Sequence, residues 1–108
     1  MSFHYLYVLL SLKDNKFYIG STNDLKRRLR EHQQGKNIST AKRRPLKLIF
    51  YEAYPTKSDA ERREGYFKTD KGKTTLRQML RGYLEQKEQS EISDAEYLPL
   101  GLEADLKL

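Results

Sequence analysis

Phe3 to Leu12 alternates two apolar sets, with Phe3, Tyr5, Tyr7 and Leu9 on one face and His4, Leu6, Val8 and Leu10 on the other. This pattern predicts a strand covered on both sides. The polar run Lys13-Asp14-Asn15-Lys16 predicts a turn, and Phe17 to Ser21 resumes β-type composition, giving an antiparallel hairpin with a four-residue connection. Asn23 or Asp24 can cap a helix running to about Gln34, with Gly35 placed to end it. Lys36 to Pro45 is a basic, polar loop. Leu46 to Tyr54 predicts a third strand stopped by Pro55. The capping-box spacing Ser58-Asp59-Ala60-Glu61 predicts a second helix to about Thr69, broken by Asp70-Lys71-Gly72-Lys73. Leu76, Met79, Leu80, Tyr83 and Leu84 then recur at i, i+3, i+4, i+7 and i+8, one apolar stripe on a third helix. Gly82 weakens that helix slightly but lies off the stripe.

The resulting order, β-β-α-β-α-α, predicts an α+β (mixed α/β) fold, a small three-stranded antiparallel sheet flanked by helices. Residues 1–85 form one domain. From residue 86 to 108 the chain turns acidic with sparse apolar positions and reads as a flexible tail. A chain of 108 residues has room for one core. It has no cysteine and only two histidines, His4 and His32, so thiolate and histidine-rich metal sites are excluded. No apolar run approaches the ~20 residues of a membrane span, and the N-terminus lacks a basic stretch leading into an apolar segment. The expectation is a soluble, cytoplasmic protein.

Charge sharpens this picture. The formal net charge is +6, but residues 1–84 carry 19 basic and 8 acidic side chains, whereas residues 85–108 carry 2 and 7. A body this basic is a footprint for a polyanion, although an ordinary solvated surface has the same composition. The acidic tail can cover that body or recruit a protein partner.

Helix phase adds candidate chemistry. On the second helix Glu64 lies on the face defined by Ala60 and Phe67. A carboxylate there needs a partner, because burying it unpaired costs several kcal/mol. A salt bridge to one of the arginines is one solution and a divalent cation at a cleft edge is another. Structural ion pairs outnumber metal sites, so the salt bridge is the favoured reading of the residues alone. On the first helix Arg28 and His32 flank the face of Leu25 and Leu29. Eight tyrosines with no tryptophan is a high count for this length. Most of them fit cross-strand aromatic packing.

Tyr5-Leu6-Tyr7 and, ten residues on, Tyr18-Ile19-Gly20 together resemble the paired signature of the GIY-YIG nuclease superfamily. The first triplet has Tyr5 for glycine and Leu6 for isoleucine; the second matches in full. Ser21 to His32 resembles the family's first helix, with Arg28 and His32 at the expected positions. Arg43-Arg44-Pro45-Leu46 before a strand, and Ala60-Glu61-Arg62-Arg63-Glu64 before Lys68, are similar to small single-domain bacterial members. The likeness covers residues 3 to 84.

The resemblance implies a metal-dependent endonuclease acting on nucleic acid, DNA above RNA, in repair or in processing of mobile or foreign DNA. It implies that Glu64 binds one Mg²⁺ (or Mn²⁺), that Tyr7 is the general base or positions the attacking water, and that Arg28 contacts the scissile phosphate. His32 and Tyr18 would position phosphate or nucleophile. Lys36, Lys42, Arg43 and Arg44 are the candidate backbone contacts, which position a duplex without reading its sequence. Many members carry a late asparagine, but none follows Asn37 here. The rival readings are a non-catalytic nucleic-acid-binding module of the same fold and an interaction domain whose charges are structural. No Gly-rich nucleotide loop points to ATP.

Overall fold

The computed structural model describes residues 2–89 and contains a three-stranded, fully antiparallel sheet with four α-helices. Strands β1 (His4–Ser11), β2 (Phe17–Thr22) and β3 (Leu46–Tyr54) lie in the order β2-β1-β3. The most apolar strand is thus the central one, and Leu6 to Ser11 are all buried. Its alternation sorts the core into two clusters. Tyr7 and Leu9 pack with Leu25, Leu29 and Leu46 on one face. Leu6 and Val8 pack with Ile19, Phe67 and Leu76 on the other. Helix α1 (Leu25–Gln33) covers the first face, and α2 (Lys57–Phe67) with α3 (Asp70–Met79) covers the second. Each face buries apolar side chains at roughly 25 cal/mol per Å² removed from water.

The hairpin connection runs from Leu12 to Lys16, one residue longer than expected. Asn15 takes a left-handed φ of 63°, a conformation its short polar side chain tolerates better than most. Asp24, not Asn23, caps α1 by accepting from the Arg27 N–H at 3.1 Å. Gly35 ends the helix at φ 76°, where its N–H reaches the His32 carbonyl. The basic loop contains a short 3₁₀ helix, Ala41–Arg43.

Two expected boundaries are corrected. The cap of α2 is Thr56, two residues before the expected Ser58: its hydroxyl accepts from the Asp59 N–H and donates to the Asp59 carboxylate at 2.8 Å. Pro55 ends β3 immediately before it, so the first capable residue takes the role. Asp70 to Lys73 does not break the chain but forms the first turn of α3, capped by Thr69, whose oxygen accepts from the Gly72 N–H at 3.0 Å.

The single apolar stripe is likewise divided. α3 ends at Met79, Leu80 leaves helical geometry at φ −103° and ψ 15°, and α4 (Arg81–Gln89) follows. The order is therefore β-β-α-β-α-α-α. Leu76 is fully buried and Leu80 packs on the same cluster, whereas Met79 is 46% exposed. Helix α4 extends to Gln89, so residues 86–89 of the acidic segment are helical. The rest of the expected flexible tail, 90–108, lies outside the described residues. No described helix is long and apolar enough to cross a membrane.

Candidate active site

Tyr7 lies at the centre of the sheet, paired with Gly20 on β2 and Tyr51 on β3. A Cβ built on Gly20 would come within 2.6 Å of the Tyr7 hydroxyl oxygen, so the bare backbone of Gly20 makes the space that the phenol occupies. From α1, His32 projects into the same space and is fully buried. Its Nε2 is 2.8 Å from the Tyr7 hydroxyl and its Nδ1 is 2.7 Å from the Thr40 hydroxyl. Tyr18, next to Gly20, packs edge-on against His32 with ring centroids 5.1 Å apart, and lies 6.3 Å from Tyr7. Three of the expected side chains thus form one aromatic cluster, closed from behind by Thr40.

Arg28 and Glu64 reach this cluster electrically. The charges of Arg28, Glu31 and Glu64 all act on the Tyr7 hydroxyl, and Arg28 and Glu31 act on His32. Burial, reinforced by Tyr18, holds Tyr7 well above the ordinary tyrosine range, while Arg28 pulls in the opposite direction. Burial, reinforced by Arg28, pushes His32 down from 6.5 to about 4. The neutral imidazole is the resting form at neutral pH.

That shift carries a stability prediction. Between about pH 4 and 6.5 the unfolded chain binds a proton at this residue that the folded chain does not. The His32 contribution is therefore fully present above pH 6.5 and declines as pH falls towards 4. Urea unfolding at pH 7.0 and 5.0 is expected to show a larger loss for the wild type than for His32→Gln; equal losses would contradict the assignment.

Glu64 sits where helix phase placed it, between the buried Ala60 and Phe67, with its side chain 20% exposed. One carboxylate oxygen accepts from the Ser21 hydroxyl at 2.7 Å and the other meets the Lys68 ammonium at 2.7 Å. The expected salt bridge is present, with a lysine one turn on in place of an arginine. Among the described residues no group of three or more His, Asp or Glu side chains could hold a metal alone. The donor set is one partly exposed carboxylate beside a hydroxyl. It suits a hard cation such as Mg²⁺, which keeps several waters and completes its shell with substrate phosphate. Lys68, whose side chain is 55% exposed, holds the second carboxylate oxygen from the solvent side.

Next to Ser21 and Arg28 opens a cavity of about 280 Å³, lined also by His4, Asn23, Lys57 and Glu61. The Nε of Arg28 is buried without a hydrogen-bond partner and lies 3.4 Å from Glu31. The basic loop contributes differently. Arg43 pairs with Asp14 at 2.8 Å and also donates to the Lys16 and Phe17 carbonyls, tying the loop to the hairpin. Arg44 donates to the carbonyls of Ala41 and Gln33. Lys36 and Lys42 are exposed, and Lys42 and Arg44 line a separate open groove with Lys13 and Gln33.

Sequence reasoning missed Ser21, Lys68 as partner of Glu64, and Thr40. Alternation along β2 could have found Ser21, because it turns Ser21 towards α2 together with Phe17 and Ile19. No periodicity marks Thr40 in its loop.

This arrangement of a sheet-centred tyrosine, a second tyrosine, an arginine and histidine on the first helix and a glutamate on the second accords with the comparison to known proteins. Residues 3–78 match the model of the GIY-YIG catalytic domain, and the chain belongs to that family. The family is one of nuclease-type catalytic domains, which in general act on nucleic acid and depend on a metal. The chain is 47% identical over 66 residues to the UPF0213 protein YazA of Bacillus subtilis, covering 60% of this chain and 66% of that protein. It is 40% identical over 88 residues to a UPF0213 protein of Bacillus velezensis, covering 81% and 83%. It also resembles the solution structure of the UPF0213 protein BH0048 from Bacillus halodurans, at 32% identity and a TM-score of 0.50, covering 84% of this chain and 99% of that one.

Proposed function

We propose that the chain is a metal-dependent endonuclease that hydrolyses phosphodiester bonds in DNA. What supports this reading above all is the convergence of Tyr18, His32 and the charges of Arg28 and Glu64 on the single hydroxyl of Tyr7. Tyr7 takes the proton of the attacking water or orients it, and its displacement from the ordinary tyrosine range is what bound cations must offset. Arg28, whose Nε makes no hydrogen bond among the described residues and is ion-paired to Glu31 at 3.4 Å, neutralises the scissile phosphate and the charge that grows on it in the transition state. His32 and Tyr18 hold Tyr7 in place. Glu64, beside Ser21, would hold the Mg²⁺ or Mn²⁺. Such an ion would offset the carboxylate charge that raises Tyr7 and stabilise the phosphoryl and leaving oxygens. Lys36 and Lys42 supply backbone contacts, with a lesser share from Arg43 and Arg44, already engaged within the protein. Binding is therefore weak, salt-sensitive and without sequence preference.

The Glu64–Lys68 pair favours a second reading, a nucleic-acid-binding module in which that carboxylate is structural. Glu64→Gln separates the two. The nuclease loses cleavage by about a hundredfold or more while retaining DNA affinity. A binding module changes little in either assay, and a structural bridge shows itself as a lowered unfolding midpoint.

A further inference from the structure

Thr40 belongs to a loop with the polarity of solvent-facing chain, yet it is fully buried. Its N–H reaches the Asn37 carbonyl and its own carbonyl accepts from Arg43, so the base of the basic loop is anchored around it. Among the described residues its hydroxyl has one hydrogen-bond partner, Nδ1 of His32 at 2.7 Å. The other ring nitrogen lies 2.8 Å from the Tyr7 hydroxyl. Threonine and tyrosine hydroxyls both donate and accept, whereas a neutral imidazole has one N–H and one lone pair. Only one of the two hydroxyls can therefore give its proton to the ring.

Two considerations select the donor. The Thr40 hydroxyl is enclosed, and leaving its proton unused there costs the desolvation of a buried donor, about 1–3 kcal/mol. The Tyr7 hydroxyl instead lies at the charged end of the chain of contacts, where Arg28 and Glu31 from α1 and Glu64 from α2 act on it and Tyr18 flanks it from β2. Once deprotonated, its oxygen can only accept, which the ring meets with an N–H.

We infer that Thr40 is a positioning residue whose hydroxyl donates to Nδ1 of His32 and so fixes the ring proton on Nε2, aimed at the Tyr7 oxygen. The inference deepens the nuclease reading and rests on it for its catalytic consequence, though not for the tautomer itself. An Nε2–H donor stabilises negative charge on the Tyr7 oxygen, whereas the opposite tautomer would turn a lone pair towards it. Because burial keeps His32 at about 4, the ring does not take up a second proton near neutral pH and its donor direction is stable. The loop that carries Lys36 and Lys42 is thereby joined to the reacting hydroxyl through one histidine.

The test uses the full ¹⁵N-labelled chain. Only His4 and His32 give imidazole signals, and His4→Gln assigns them. The wild type is expected to show His32 with a pyrrole-type Nε2 and a pyridine-type Nδ1. Thr40→Ser keeps that signature, and Thr40→Val shifts it towards the Nδ1–H form. In cleavage assays Thr40→Val lowers kcat by about tenfold with KM little changed and moves the rising limb of the pH profile to higher pH; Thr40→Ser restores both. A wild-type ring protonated on Nδ1 overturns the inference, as does a Thr40→Val variant with unchanged tautomer and pH profile and only reduced stability. Should Thr40→Val fail to fold, the wild-type and Thr40→Ser spectra decide. Should the wild type cut nothing, the nuclease reading fails, while the spectra still settle the role of Thr40.

Discussion

Tyr7→Phe is expected to lower strand cleavage by about 10²–10⁴-fold while leaving the fold and DNA affinity in place. The ring itself is core: it is buried at the centre of the sheet and packs with Leu9, Leu25, Leu29 and Leu46. Phenylalanine keeps that packing and removes only the oxygen. His32 then faces an apolar edge with Nε2, and the loss of that partner costs about 1–3 kcal/mol. Activity thus falls by far more than stability accounts for, which is the signature of a reacting group rather than a packing one. Single-turnover cleavage and urea unfolding on the same preparation check both halves. A variant that unfolds readily but still cuts when folded would remove Tyr7 from the chemistry.

The largest stability effect is expected at Gly72. This residue is buried in the first turn of α3, where the chain passes tightly over the end of α2. A Cβ added there would fall on the carbonyl oxygen of Tyr66 and crowd the backbone of Phe67, neither of which is a flexible side chain able to turn away. Relief requires α3 to move off α2, and Phe67 and Leu76, both fully buried in the same cluster, would separate. Gly72→Ala should therefore cost about 3 kcal/mol or more, the upper range for overpacking, despite alanine's better helix propensity. Chemical denaturation measures it directly. A neutral or stabilising result would mean that α2 and α3 are not packed as described. Gly65→Ala makes the control, because nothing lies within 4 Å of a Cβ at that helical position.

Much of this fold was legible where local pattern and tertiary packing agree. β3 was bounded by Pro45 and Pro55, and its span needed no correction. The two faces of β1 were readable from alternation alone, because both are covered. The last helices were not. Leu76, Leu80 and Leu84 keep helical spacing across the break at Leu80, so periodicity cannot detect a change of axis there. The cap of α2 was missed because Thr56 and Ser58 both meet the local rule and the end of β3 decides between them.

Within the site, helix phase revealed Glu64 as an inward carboxylate, but its hydroxyl partner lies 43 residues away on β2 and is set by how helix and sheet meet. Arg43 read as a phosphate contact because a basic loop looks alike whether its arginines face solvent or their own backbone. The roles of Tyr7, Tyr18, Arg28, His32 and Glu64 came from resemblance; the Tyr7–His32 hydrogen bond and the ring contacts of Tyr18 that make a unit of three of them came from the structure.

The most direct test of the account is wild-type cleavage of a panel of labelled duplex, nicked, branched and single-stranded DNA and RNA, run with Mg²⁺ or Mn²⁺ and with EDTA. The protein is expected to cut DNA only with the metal, to stop on chelation and to resume when metal is returned in excess. Binding without cutting under every metal would contradict this, and so would cutting that persists in EDTA.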